Sequence, residues 1–183
     1  HLLVGLPSSH FLSSERFEAY IVNAALGGAT TSRLYQKIRE TKGLAYNVYS
    51  YLQSFTDSAL LLTYVGTALE NSQECLEIIR KEFDDFMQNG LSQQEVDYYK
   101  TQVMGQIMLS ADDIESRMNS IAVNEMVFHK YRPVDEILQE VESVNKDTVK
   151  DYIDKYFDLA QSGFLAIGNG ANQAEKLKNI FTT

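Results

Sequence analysis

The sequence predicts an α+β domain, a mainly antiparallel β-sheet with several helices packed on one face. The order of apolar patterns is strand, two helices, hairpin, several helices and strand, which differs from the strict strand–helix alternation of a parallel sheet. Two strand-like runs separated by a short polar turn are typical of a β-hairpin. The 183 residues, 44% of them hydrophobic, are enough for one continuous core. We therefore expect a single domain over residues 1–183.

A strand and two helices are predicted first. Residues 2–6 are apolar and are followed by Pro7, which is typical of a buried strand that ends in a turn. A helix is expected next, and Gly27-Gly28 can end it. A second, short helix is predicted over residues 33–39. The first helix is defined by five residues at helical spacing: Phe17, Tyr20, Ile21, Ala24 and Ala25.

A β-hairpin is predicted next. Residues 45–55 and 58–66 are rich in strand-forming residues with period-two alternation, and Thr56-Asp57 between them predicts the turn. Because successive side chains of a strand point to opposite faces, only one set of side chains in the first run can face the core. The sequence leaves open which set does so: Tyr49 and Tyr51, or Tyr46, Val48 and Ser50.

The chain beyond the hairpin is predicted to be mostly helical. A helix over residues 75–86 is expected to end near Gly90, and Ser92 with Glu95 forms a capping box that begins the next helix. Apolar spacing predicts three more helices, and the last is expected to be the final full helix: residues 114–128, 134–141 and 149–156.

A last strand is expected to close the core. It covers residues 163–167, which are mainly apolar. Gly168-Asn169-Gly170 should end this strand. The remaining residues are expected to form a polar C-terminal tail.

The composition argues against several classes of function. The net charge of -9, with no Lys- or Arg-rich run, predicts no nucleic-acid partner. No apolar stretch approaches the roughly 20 residues that cross a bilayer, so no membrane partner is expected. Cys75 is the only cysteine, which excludes an intrachain disulfide and a thiolate metal cluster. The chain begins at His1 without an initiator methionine, so we expect it to be part of a longer protein.

No motif of a self-contained enzyme is present in the sequence. Three histidines occur, His1, His10 and His129, and none has a second histidine at the spacing that places two imidazoles on one helix face. There is no H-x-x-E-H motif and no G-x-S-x-G nucleophile elbow. We therefore expect no metal, no cofactor and no catalytic residue in this chain, which alone should be inactive.

The segment 27–50, GGATTSRLYQKIRETKGLAYNVYS, concentrates unusual features. Two glycines, small hydroxyl residues, a short amphipathic helix, a basic turn and a tyrosine-rich strand follow one another. This segment resembles the C-terminal, non-catalytic domain of the inverzincin zinc metallopeptidases, the insulinase, pitrilysin and mitochondrial processing peptidase family, whose active half carries H-x-x-E-H. Smaller patterns extend the resemblance over nearly the whole chain: Gly90-Leu91-Ser92, Ser116-Arg117 and Val144-Asn145-Lys146-Asp147.

The resemblance implies a substrate-binding role for two residues. Arg39 and Tyr46 match the arginine and tyrosine that the non-catalytic half directs toward a substrate at the zinc centre of the other half. The predicted positions agree, because Gly43 allows a tight reversal between the helix of Arg39 and the strand of Tyr46. A guanidinium and a phenol are donors suited to peptide carbonyl oxygens. The implied partners are a peptide substrate and a zinc-bearing peptidase domain or subunit, with the zinc in a missing N-terminal half.

Two functions are open at this point. The first is the substrate-binding half of a zinc-dependent metalloendopeptidase, which closes the chamber opposite the zinc-bearing half. The second is a separate non-catalytic subunit or scaffold of the same fold, such as a processing-peptidase partner or a respiratory-complex core protein. Retention of Arg39 and Tyr46 favours the first, because a scaffold does not need the pair. A homodimer is a further expectation, because a face built to meet the other half is exposed in this chain alone.

Overall fold

The computed structural model describes residues 1–169 and 173–182 and contains a four-stranded β-sheet. Its strands are β1 (Leu2–Pro7), β2 (Ala45–Ser54), β3 (Ala59–Thr67) and β4 (Gly163–Ala166). The strand order is β2-β3-β1-β4, and every neighbouring pair is antiparallel. The predicted hairpin is therefore β2 and β3, and the predicted α+β class is confirmed.

Helices make up most of the remaining described chain. The first, α1 (Arg16–Asn23), continues as a π-helical turn, Ala24–Gly28, and a second π-helical segment covers Tyr35–Thr41. None of the described helices is both long and apolar enough to cross a bilayer. The other helices are α2 (Ser72–Asn89), α3 (Gln93–Asp112), α4 (Ile114–Phe128), α5 (Val134–Ser143), α6 (Lys146–Tyr156) and α7 (Ala174–Thr182).

Short polar residues determine where α3 and α4 begin. At α3, the Ser92 hydroxyl accepts the Glu95 N–H, while the Glu95 carboxylate accepts the Ser92 N–H at 2.9 Å, which confirms the predicted capping box. At α4, the Asp113 carboxylate accepts the Ser116 N–H at 2.8 Å. A cap of this kind stabilises a helix by about 1 kcal/mol.

The core lies between the helices and one face of the sheet. On that face Val4, Leu61 and Val65 are fully or almost fully buried. On the opposite face, Tyr49 and Leu60 are exposed. Helices therefore cover one face of the sheet, as predicted. The helices α2 and α6 contribute a large part of the core through their buried residues, among them Cys75, Leu76, Ile79, Phe83, Phe86, Val149, Tyr152 and Ile153.

The C-terminal residues differ from the prediction of a polar tail. They form α7, so α6 is not the final helix. Leu177 and Phe181 of α7 are buried, and the Phe181 ring centroid lies 6.1 Å from that of Phe83 in α2. The prediction is wrong because charged and amide side chains obscure two apolar residues at i, i+4 spacing. Gly170 lies outside the described residues.

Candidate functional site

A tight bend between the second π-helical segment and β2 brings Arg39 and Tyr46 together. Gly43 has φ +61°, a conformation that other residues rarely adopt. Its N–H donates to the Arg39 carbonyl at 3.1 Å, and the Leu44 N–H donates to the Ile38 carbonyl at 2.9 Å. The Leu44 carbonyl in turn accepts a hydrogen bond from the Thr67 hydroxyl at 2.5 Å. The bend is therefore fixed at both ends, to the helical segment and to the end of β3.

A β-bulge gives Tyr46 its exposure. Ala45 pairs with Thr67 and Asn47 pairs with Gly66, so Tyr46 is an extra residue in β2. Such a bulge shifts the alternation of side chains by one position. The expectation that Tyr46 shares a face with Val48 and Ser50 is therefore wrong. Those two side chains are buried, whereas Tyr46 is 76% exposed.

The Arg39 guanidinium contacts two tyrosine rings. Its central carbon lies 4.7 Å from the ring centroid of Tyr46 and 4.9 Å from that of Tyr35. Cation–π contacts at these distances orient the guanidinium without using its N–H groups. Sequence reasoning missed Tyr35, although its i, i+4 spacing from Arg39 on a helix is a usable signal.

The Arg39 guanidinium and the Tyr46 hydroxyl have few polar partners within the described chain. Glu40 is the one carboxylate near Arg39, at 3.8 Å from its Nε. The described residues offer no hydrogen-bond partner to the Tyr46 hydroxyl. The pair therefore presents N–H and O–H donors at the protein surface.

Ion pairs hold the start of the same segment against α2 and α3. Arg33 lies 2.5 Å from Asp85 and 2.6 Å from Glu95, and its guanidinium lies 4.6 Å from the Phe86 ring centroid. Burial alone would lower the pKa of Arg33, but hydrogen bonds and charge from Glu95 and Asp85 raise it above its ordinary value. These contacts fix the helical residues that lead into the segment of Arg39.

The glycines before this segment have a packing role. A Cβ on Gly27 would lie 2.6 Å from the Ser50 nitrogen, so only glycine lets the π-helical turn pack this closely on β2. Ala29 is extended, which confirms that the helix ends at Gly27-Gly28 as predicted.

The histidines are not gathered into a site. His1 Nδ1 lies 2.6 Å from the Tyr64 hydroxyl, His10 Nδ1 is buried, and His129 follows the last residue of α4. Among the described residues, no three His, Cys, Asp or Glu side chains lie together so that they could hold a metal ion.

Curated and family comparisons identify relatives of this chain. A family model described as the Peptidase M16 inactive domain matches residues 1–103. A protein named as an uncharacterized zinc protease of Bacillus subtilis is 35% identical over 149 residues, 81% of this chain and 36% of that protein. The chain spans about a third of the length of the curated relatives that it matches.

Solved structures share the fold. A peptidase M16 inactive domain from Pseudomonas fluorescens has a TM-score of 0.79 at 19% identity, and the match covers 89% of this chain and 39% of that one. A chain of complex III2 from Candida albicans has a TM-score of 0.83 at 14% identity, with 98% and 46% covered. At these identities the likeness concerns the fold alone. The family model and the curated zinc-protease relatives go further and show that this chain belongs to the M16 peptidase family as a C-terminal, non-catalytic domain.

Proposed function

We propose that residues 1–183 form the substrate-binding, non-catalytic half of a zinc-dependent metalloendopeptidase and close its chamber opposite the zinc-bearing half. The observation that carries this proposal is the contact between Arg39 and the exposed Tyr46, whose side-chain donors make no hydrogen bond within the described part of the chain. The zinc-protease names of the relatives support it. Since this chain covers about a third of their length, the zinc-bearing half is expected in the remainder.

The pair acts on the peptide substrate through hydrogen bonds and charge. A zinc ion in the other half supplies a Lewis acid that polarises a carbonyl or activates water. Tyr46 donates its O–H to a peptide carbonyl oxygen, and the Arg39 guanidinium stabilises negative charge that develops there. The rings of Tyr35 and Tyr46 hold the guanidinium in place, so its N–H groups need little reorganisation when the peptide binds.

The alternative is a non-catalytic subunit or scaffold of the same fold. The likeness to the complex III2 chain concerns the fold and does not favour this role. The exposed donors of Arg39 and Tyr46 favour the peptidase half, because a scaffold gains nothing from two oriented donors.

Removal of the Tyr46 hydroxyl group tests the proposal. In the full-length protein, Tyr46→Phe should reduce kcat for cleavage of a quenched fluorescent peptide by about a hundredfold, because one donor to the developing oxyanion is lost. Zinc content and thermal stability should not change, because the Tyr46 side chain is mostly exposed.

Tyr49→Phe is the matched control, since Tyr49 is an exposed tyrosine of the same strand. Its ring contacts Tyr64, at a centroid distance of 4.9 Å, and not Arg39. Cleavage should therefore be unaffected in this variant. Equal turnover in Tyr46→Phe and the unmodified protein would remove the assignment.

A further inference from the structure

A cavity of about 520 Å³ lies between α1, β2 and the helices α3, α4 and α5. Its size falls in the usual range for ligand sites, about 300–1,000 Å³. Aromatic rings of Phe17, Tyr20 and Phe128 and aliphatic side chains such as Ile107 form its apolar surface. The site is thus large enough for two or three residues of a peptide and is lined as ligand sites usually are.

The charges at this cavity differ from those of the whole chain. Arg16, Arg117 and Arg132 line it, and no Asp or Glu is among the described lining residues. The chain as a whole carries a net charge of -9. The cavity is therefore a positively charged site in an acidic protein, which favours an anionic ligand.

The carboxylates near the cavity do not neutralise its arginines completely. Arg132 pairs with Glu136 and Glu140, and Arg16 shares Glu140, so two carboxylates balance these two arginines. Arg117 instead hydrogen-bonds to the Tyr131 hydroxyl. Burial, and then repulsion from Arg132, lower the pKa of Arg16. The described chain provides no ion pair for Arg117, so this guanidinium is the one available to a ligand.

The helix α4 directs both polar and apolar residues into the cavity, unlike an ordinary amphipathic helix. Its apolar residues Ile114, Met118 and Met126 are 87%, 62% and 77% exposed. The polar residues Ser120 and Asn124 line the cavity, and Asn124 is only 7% exposed. A surface helix normally directs its apolar residues inward. Here the inward position of Ser120 and Asn124 provides hydroxyl and amide groups for a polar ligand.

We propose that this cavity binds a peptide segment in which a carboxylate lies next to an aromatic or aliphatic side chain. Arg117 pairs with the carboxylate, the apolar surface takes the side chain, and Asn23, Asn124 and Ser120 bind the peptide N–H and C=O groups. The carboxylate is either a free C-terminus or an acidic side chain.

The location agrees with a peptide ligand, and the choice of a peptide rests on the function proposed above. Ser50 lines the cavity and lies four residues along β2 from Tyr46, about 13 Å in an extended strand. Because the Tyr46 and Ser50 side chains lie on opposite faces of β2, which is an edge strand, a peptide held at Arg39 and Tyr46 would reach the cavity around that edge, with more than about four further residues. The cavity would then hold a part of the substrate that is distant from the scissile bond.

Calorimetric titration of the 183-residue chain with three acetylated pentapeptides tests this proposal. The first has phenylalanine beside a free C-terminal carboxylate, the second is amidated and ends in aspartate, and the third is amidated with no acidic group. Saturable binding of the first or the second, at least about tenfold tighter than the third, supports the proposal and identifies the source of the carboxylate. Equal binding of all three, or no binding of either acidic peptide, overturns it.

Variants locate the binding. Ser120→Trp fills the cavity and should abolish binding, whereas Ala122→Trp, at an exposed position of the same helix, should not affect it. Retained binding in Ser120→Trp overturns the proposal. Arg117→Gln should weaken binding about tenfold and the exposed Lys81→Gln should not, which decides the matter if Ser120→Trp does not fold.

The two proposals can fail separately. The calorimetric assay needs neither zinc nor turnover. Tyr46→Phe should leave the affinity for the pentapeptides unchanged, because Tyr46 does not line the cavity. Loss of turnover in Tyr46→Phe with no peptide binding to the cavity rejects this inference alone. Cavity binding with unchanged turnover in Tyr46→Phe rejects the Arg39–Tyr46 assignment alone.

Discussion

Arg33 and Arg39 lie in one short helical segment but have opposite surroundings. Arg33 has a side chain that is 16% exposed, pairs with Asp85 and Glu95, and lies over a buried phenylalanine. Arg39 is 33% exposed, has one carboxylate at 3.8 Å, and lies over two tyrosine rings. The difference separates an arginine that holds the fold together from one whose N–H groups stay largely unpaired, which is the one that the proposed function assigns to the peptide substrate.

Removing Arg33 should have the largest effect on stability. Arg33→Ala removes the cation that pairs with Asp85 and Glu95. The buried Glu82 keeps its ion pair with Lys37 and loses only a second, more distant one at 3.8 Å. The loss should be about 2 kcal/mol, because each of these partly exposed ion pairs contributes less than about 1 kcal/mol and the contact with the Phe86 ring is lost as well. The free energy of unfolding in urea measures this loss.

Arg39→Ala is the matched control for Arg33→Ala. Its side chain is bound through ring contacts at the surface, so the free energy of unfolding should change by less than about 0.5 kcal/mol. A similar loss of stability in both variants would contradict the distinction between the two arginines.

Much of the fold could be predicted because its signals are local. The capping box of Ser92 and Glu95, the end of α2 at Gly90, and the turn between β2 and β3 each depend on a few neighbouring residues. The proximity of Arg39 and Tyr46 followed from Gly43 in the same way.

The misses depend on contacts that a local pattern does not contain. The bulge at Tyr46 depends on how β2 pairs with β3, and a regular alternation places that side chain on the wrong face. The burial of Leu177 and Phe181 depends on packing against α2, which is distant in sequence. The apolar spacing of α4 predicted the helix correctly but not the exposure of its apolar residues, Ile114 and Met118 among them.

Glycine should be the preferred residue at position 43, in the bend between Arg39 and Tyr46. Gly43→Ala meets no neighbouring atom within 4 Å, so its cost comes from the positive φ alone, about 1 kcal/mol. In the full-length protein the same change should lower peptide turnover, because it disturbs the contact between Arg39 and Tyr46.

Gly105→Ala provides the control for this change. Gly105 lies inside α3, and an added Cβ there also meets nothing within 4 Å. Since alanine is the better helix former, this variant should be more stable by about 0.5–1 kcal/mol. If both glycine variants gained stability, the bend would not require a left-handed residue.

Low pH should weaken the ion pairs of Arg33, and the resulting loss of folding stability should be smaller than the effects of the substitutions above. Burial opposes ionisation of Glu95, but the Ser92 backbone N–H and Arg33 lower its pKa below the ordinary value. The pKa of Asp85 is lowered first by a hydrogen bond from the Asn89 side chain. Burial opposes this by raising the pKa, and Arg33 lowers it further. Because both pKa values are lower in the folded state, the stabilisation is present above the unfolded values, about 4, and is lost as the pH falls through the folded ones.

The size of this pH effect tests whether Arg33 acts through its charge. Asp85 and Glu95 are 43% and 35% exposed, so each ion pair should contribute less than about 1 kcal/mol. Urea unfolding at pH 7 and near pH 3 should show a smaller stability difference between the unmodified chain and Arg33→Ala at the lower pH. If the difference did not change with pH, packing of the guanidinium on Phe86, and not its ion pairs, would hold the segment in place.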